Sequence, residues 1–142
     1  MSQTPLLQVE HLKKYYSMKT GIFSRAKGQV KAVDDISFTL HHGQTIGIVG
    51  ESGCGKSTMG KTVLRLIEPT AGKIILEGED FTALQGSALK QARRKMKLIF
   101  QDPYASLNPR MTVKDILGEN LDIDHTYATK AERDDRIMEV ME

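Results

Sequence analysis

Apolar positions change their spacing several times along the chain, and each change predicts an element. Leu6–Leu12 reads as a first strand. Lys13–Gln29 is basic, polar and glycine-containing, and predicts a loop or insertion. Val30–Leu40 (VKAVDDISFTL) has strand character, with Ile36, Phe38 and Leu40 alternating as a half-buried strand requires. After a turn at His41-His42-Gly43, Thr45–Val49 (TIGIV) is a short β-rich run ending at Gly50. A helix is expected from near Gly55 to just before Pro69. Met59, Val63, Leu66 and Ile67 form one apolar stripe that would pack on a sheet, and Pro69 and Gly72 end it.

Lys73–Leu76 (KIIL) and Lys97–Phe100 (KLIF) read as further strands, with a short basic helix over Ser87–Lys95 between them. Asp102–Arg110 contains Pro103, Asn108 and Pro109 and is expected to be a loop. Thr112–Leu121 and Thr129–Glu142 look helical. Thr112 precedes Asp115, and Thr129 precedes Glu132, at the three-residue spacing of a capping box. Arg133, Ile137, Val140 and Met141 share one side of the last predicted helix, which has no Gly or Pro stop. The pattern is expected of a fragment of something longer.

Composition narrows the class. The chain has 142 residues, 39% hydrophobic and 27% charged, as a globular domain has. Its apolar runs are too short to span a bilayer, and the polar start MSQTPLLQVE is not a signal peptide. A single cysteine excludes a disulfide framework and a multi-thiolate zinc site. A soluble protein of the cytoplasm or of its membrane face is expected. Residues 1–110 carry 16 Lys/Arg against 9 Asp/Glu, whereas residues 111–142 carry 4 against 9. A basic body suits a polyanion. With 6% aromatics and no Trp there is little for bases to stack on, so no nucleic-acid partner is expected.

Gly50-Glu51-Ser52-Gly53-Cys54-Gly55-Lys56-Ser57 fits G-x-x-x-x-G-K-[ST] at every position, between an apolar predicted strand and a predicted amphipathic helix. Its glycines allow a tight turn that aims successive N–H groups at phosphate oxygens, and the helix N-terminus adds positive potential. Lys56 is expected to reach the β- and γ-phosphates and the Ser57 hydroxyl to ligate Mg²⁺. Thr58 follows in the first helical turn and can donate to a phosphate. The motif implies nucleotide binding and does not choose a reaction. There is no N-K-x-D base-reading motif of a GTPase. Asp102 follows Leu98-Ile99-Phe100-Gln101, but Pro103 bends the chain away, and Asp102 is not read as the direct Mg²⁺ ligand.

With these residues in view, the sequence resembles ATP-binding cassette (ABC) transporter subunits from about Leu6 to its end. Gly50–Thr58 (GESGCGKST) matches that family's phosphate loop. Phe100–Arg110 (FQDPYASLNPR) is similar to its Q-loop in the oligopeptide and dipeptide importer branch. Val30–Leu40 with Gly43-Gln44, and the basic insertion Thr20–Gln29, are similar to that branch too, and most of all to its F-type subunit. The resemblance implies an α/β, P-loop NTPase fold of the ABC type with an antiparallel β-subdomain, reaching the start of a helical subdomain. Residues 6–49 would form the β-subdomain and the strand into the loop, 50–101 the stretch from phosphate loop to Q-loop, and 102–142 the Q-loop and first helical part.

The same resemblance implies roles. Gln101 matches the Q-loop glutamine, whose amide oxygen would meet Mg²⁺ or its water. Tyr16 matches the aromatic that stacks on adenine, with Tyr15 as the neighbour that could replace it. The segment Pro103–Thr112 would touch a membrane permease, and a second ATP-binding subunit would complete the site. ATP and Mg²⁺ are the implied ligands, and the cytoplasmic face of the cell membrane the implied location. No match to the family's LSGGQ-like loop, its Walker B Asp and catalytic Glu, or its switch histidine lies in these residues. His11, His41, His42 and His125 read as surface or turn positions. The reading is therefore an ATP-binding subunit of a peptide-type importer, with weak hydrolysis expected of this chain alone. Two alternatives are a soluble ABC-type or other P-loop ATPase not tied to transport, and a small stand-alone nucleotide-binding module.

Overall fold

The computed structural model describes residues 4–19, 27–102, 107–124 and 127–141. The order is β1 (Leu7–Lys19), β2 (Lys27–Leu40), α1 (Lys56–Val63), β3 (Ala71–Leu76), β4 (Glu79–Asp80), α2 (Gly86–Arg93), α3 (Val113–Asp124) and α4 (Lys130–Met141). The chain divides into two compact units, Met1–Leu98 and Ile99–Glu142. Among the described residues no helix is long and apolar enough to cross a membrane.

The first unit is built on an antiparallel sheet of order β2-β1-β3-β4. Val9 pairs with Phe38 on one side and Ile74 on the other, and Leu7 pairs with Leu40 and Leu76. Val9 and Leu12 are both buried although strict alternation would send them to opposite faces. The ladder slips between them, and His11 there has φ 49°, a bulge that turns both side chains inward. Val33, Ile74 and Leu76 complete the sheet's share of the core, Phe81 joins it from the turn after β4, α1 adds Met59 and Val63, and α2 adds Ala92. Burying each large apolar side chain of this kind stabilises by roughly 1.5–3 kcal/mol. At Gly72, φ 97°, a Cβ would come within 2.5 Å of the His11 carbonyl, so β3 starts against β1 only with glycine there.

Four expectations are corrected. Lys13–Gln29 is not a loop throughout: β1 continues to Lys19 and β2 begins at Lys27, with Tyr16 opposite Val30 and Ser17 opposite Gln29. Tyr16, Met18 and Val30 of this arm are all exposed, so no buried face marks it as a strand and its ladder alone makes it one. Residues 20–26 of that stretch lie outside the described residues. The helix after the loop ends at Val63 rather than before Pro69. Arg65, φ 50°, turns the backbone out of the helix, and the amides of both Leu66 and Ile67 return to the Lys61 carbonyl. Leu66 is left 54% exposed, so only Met59 and Val63 of the expected stripe are buried.

Thr45–Val49 and Lys97–Phe100 form no strand. Neither has a ladder partner among the described residues, and Val49 and Ile99 are 93% and 91% exposed. Strand propensity describes how a segment behaves beside a partner; it does not supply one.

The remaining elements follow expectation. β3 and α2 lie where predicted. In the second unit both caps form. The Asp115 amide donates to Thr112 Oγ1 at 3.2 Å, while the Thr112 amide and hydroxyl donate to Asp115 Oδ2 at 3.3 and 2.7 Å. The Glu132 amide donates to Thr129 Oγ1 at 3.3 Å, and Glu132 Oε2 accepts from the Ala128 amide at 3.2 Å. Lys114 joins Asp134 across α3 and α4 at 2.7 Å, and Ile137 is buried.

Candidate functional site

The loop Gly50–Ser57 closes onto the first turn of α1. Gly53 has φ 82° and Gly55, the N-cap residue, φ 101°, both in the left-handed region that side chains disfavour. At Gly50 a Cβ would sit 2.6 Å from Cys54 Sγ, so a side chain there would displace the thiol. Gly55 rests on β2, where a Cβ would overlap the Ala32 carbonyl oxygen. This contact ties the loop to the sheet and fixes where α1 begins.

No side chain caps the N-terminus of α1, and its first turn holds no carboxylate. Its leading N–H groups keep their positive potential for an anion. Lys56 is the first residue of the helix, and its ammonium folds back over the loop. It donates to the carbonyls of Gly50 at 2.7 Å and Glu51 at 2.6 Å, with Cys54 Sγ at 3.5 Å. The Cys54 amide donates to the Glu51 carbonyl at 3.3 Å, so the loop closes on itself. Glu51, Ser52, Gly53, Cys54 and Ser57 are exposed, and Thr58 is half-buried. Anion recognition by backbone amides with one ammonium is what this arrangement can do, and the Ser57 hydroxyl stands ready as a neutral oxygen ligand.

A cleft of about 340 Å³ lies between the loop and β2, lined by Lys56, Cys54 and Gly55 on one side and by Lys31, Ala32 and Asp34 on the other. Tyr16 stands on β1 outside that lining, 40% exposed, with the Lys14 ammonium 5.1 Å from its ring centroid. Lys14 also donates to the Glu68 carbonyl at 2.8 Å. Tyr15 is engaged differently. Its hydroxyl donates to Asp34 and its amide to Thr70 Oγ1 at 2.9 Å. The hydrogen bond to Asp34 raises the Tyr15 phenol above its ordinary value and lowers the Asp34 carboxyl below its own. Lys31, which sequence reasoning missed, donates to Asp34 Oδ2 at 3.0 Å and lies 5.3 Å from the Tyr15 ring centroid. The available signal was a lysine and two aspartates within a largely apolar strand sequence, VKAVDDISF.

The structure thus brings the residues from Gly50 to Thr58 together in one loop and helix turn. Gln101 and Asp102 lie in the second unit, both exposed. Of the segment Pro103–Thr112, residues 103–106 lie outside the described residues. Asn108 closes the rest into a turn, accepting from the Arg110 amide at 3.1 Å through Oδ1 and from the Met111 amide at 3.0 Å through its carbonyl.

A family model described as ABC transporter matches residues 33–142. The chain is 49% identical over 138 residues to the oligopeptide transport ATP-binding protein OppF of Bacillus subtilis, covering 96% of this chain and 43% of that protein. It is 45% identical over 141 residues to AppF of the same organism, covering 99% of this chain and 43% of AppF. A putative peptide import ATP-binding protein of Brucella ovis is 46% identical over the whole chain, which spans 42% of it. The chain therefore spans less than half the length of these relatives. Among solved structures, the ATP-binding cassette MJ0796, a dimer in a post-hydrolysis state bound to ADP and Pi, matches with a TM-score of 0.73 and 25% identity. The match covers 94% of this chain and 54% of the cassette. The α/β fold with an antiparallel β-subdomain expected from the sequence is the fold these cassettes share with the chain.

Proposed function

The chain belongs to the ABC transporter family, and we propose that it is the Mg-ATP-gripping part of the ATP-binding subunit of a peptide importer. The observation that carries this reading is the loop itself, with the uncapped N-terminus of α1 and the Lys56 ammonium folded back onto the Gly50 and Glu51 carbonyls. In this reading the amides from Gly50 to Thr58 hold the phosphates, Lys56 neutralises their charge, and Ser57 gives Mg²⁺ an oxygen ligand. Tyr16 stacks on adenine. Gln101 offers its amide oxygen, a hard neutral donor, to Mg²⁺ or its water. Residues 6–49, 50–101 and 102–142 then serve as β-subdomain, phosphate-loop-to-Q-loop stretch and beginning of the helical subdomain.

The same reading places the protein peripherally on the cytoplasmic face of the cell membrane, with permease subunits meeting the segment after Gln101 and a second ATP-binding subunit completing the site. The names of the relatives support peptide import. In this reading the chain binds Mg-ATP, and the weak hydrolysis expected of it alone follows from the absence of a match to the Walker B pair, signature loop and switch histidine in its sequence.

The test is thermal melting with and without Mg-ATP. At a hundredfold excess over Kd the stabilisation is about 2.7 kcal/mol, and Lys56→Ala removes most of it. An equal shift in the variant would sink the assignment. Steady-state turnover near the ~10 s⁻¹ typical of enzymes would overturn the expected lack of hydrolysis.

A further inference from the structure

Lys31 is a second ammonium on the cleft that Lys56 lines, and it comes from a different element. It stands on β2 next to Ala32, the residue whose carbonyl bears on Gly55, so the main-chain contact between sheet and loop fixes its base. We propose that Lys31 is a phosphate-contacting residue of this site, kept on Asp34 and transferred to the phosphate chain of a bound nucleotide. This rests on the reading that the loop from Gly50 to Ser57 holds a nucleoside triphosphate.

Three features support the transfer. The Lys31–Asp34 pair is exposed, with 57% and 43% of the two side chains accessible. An ion pair of that kind is weak, so a phosphate competes for the ammonium at little cost. Asp34 is not stranded when Lys31 leaves, because the Tyr15 hydroxyl donates to its other oxygen. While paired, Lys31 is held in its charged form, since hydrogen bonding to Asp34 raises its pKa above the ordinary lysine value. Asp34 has the opposite influence on the ligand. It lines the same cleft as a carboxylate and neutralises Lys31, so it opposes anion binding.

A merely structural role for the pair would make both side chains matter in the same direction. The proposed role gives them opposite signs. The experiment measures binding of Mg-ATP and of Mg-tripolyphosphate, which has no base, to the full chain and its variants by calorimetry. A charge-assisted contact is worth about tenfold in affinity, so Lys31→Ala weakens both ligands by about that factor. Lys31→Arg retains most of the affinity. Asp34→Asn tightens both ligands, and the gain disappears when Lys31→Ala is added. A tighter-binding variant cannot be explained by misfolding.

Unchanged affinity in Lys31→Ala overturns the proposal, as does any loss in Asp34→Asn. Either result leaves the nucleotide reading standing if Lys56→Ala still abolishes binding. Wild-type chain that binds neither ligand, or a Lys56→Ala variant that binds as well as wild type, overturns that reading and this proposal together.

Discussion

Arg133 lies over Gly118: its guanidinium occupies the space that a Cβ on Gly118 would need. From there it donates through Nε to Asp122 Oδ1 at 2.6 Å and through Nη2 to Oδ2 at 2.8 Å, with only 17% of the side chain accessible. Asp122 and Gly118 are both on α3 and Arg133 is on α4, so the missing Cβ lets the two helices share a bidentate clasp. Two effects of Gly118→Ala then oppose each other. Helix propensity favours alanine by about 1 kcal/mol, and displacement of the clasp opposes that gain. Net stability should change little. A double-mutant cycle separates the terms: Asp122→Asn should destabilise the wild type and do nothing in the Gly118→Ala background. An undiminished cost in that background would show that Gly118 does not seat Arg133.

The two neighbouring tyrosines should differ in how they affect nucleotide. Tyr15 spends its hydroxyl on Asp34, whereas Tyr16 exposes its ring beside Lys14. Base–aromatic stacking is worth about 1–3 kcal/mol. Tyr16→Ala should therefore weaken Mg-ATP more than Tyr15→Ala does, and leave Mg-tripolyphosphate untouched. The reverse order for ATP moves the adenine platform to Tyr15.

Cys54 offers a probe of the loop's centre. Its sulfur is exposed, 3.5 Å from Lys56 Nζ, and fills the space a Gly50 side chain would take. An alkyl group there and a phosphate chain compete for one volume. A small maleimide should label the chain without nucleotide, Mg-ATP should slow the labelling, and the labelled chain should no longer bind ATP. Labelling at the same rate under saturating ATP would mean that Cys54 does not face the phosphates.

Acid should weaken one helix cap in a defined window. The Thr112 hydroxyl and amide hold the Asp115 carboxyl below its ordinary 3.8. A carboxyl lowered on folding stabilises fully above its unfolded value, and loses that contribution as pH falls through the folded value. The stability difference between wild type and Thr112→Ala should be largest at neutral pH and shrink as pH drops below 3.8. Part of it should survive, since Thr112 Oγ1 still accepts from the Asp115 amide. A difference that grows on acidification would contradict the cap's charge.

Much of the site was legible because its residues are contiguous. Nine neighbours, Gly50–Thr58, carry their own turn chemistry and helix start, and the structure assembles them as spaced. The caps at Thr112 and Thr129 were legible for the same reason, since each joins residues three positions apart and needs no distant partner. The family was legible from two local strings, the phosphate loop and FQDPYASLNPR, and the relatives bear that resemblance out.

What depended on distant partners was not legible. The arms of the β1–β2 hairpin hold polar sequence in a ladder, and a bulge at His11 places Val9 and Leu12 together in the core. The end of α1 is set at Arg65, whose guanidinium is anchored by the carbonyls of Phe81 and Leu84 at 2.8 and 2.7 Å. Thr45–Val49 reads as a strand and is none, since a ladder takes two segments and a periodic pattern describes only one. The chain by itself determined the glycine-rich turn and the helix start that follows it. Tertiary structure determined what stands beside it: the Ala32 carbonyl meeting Gly55 brings Lys31 and Asp34 to the cleft, a contact across 23 residues that no local spacing encodes.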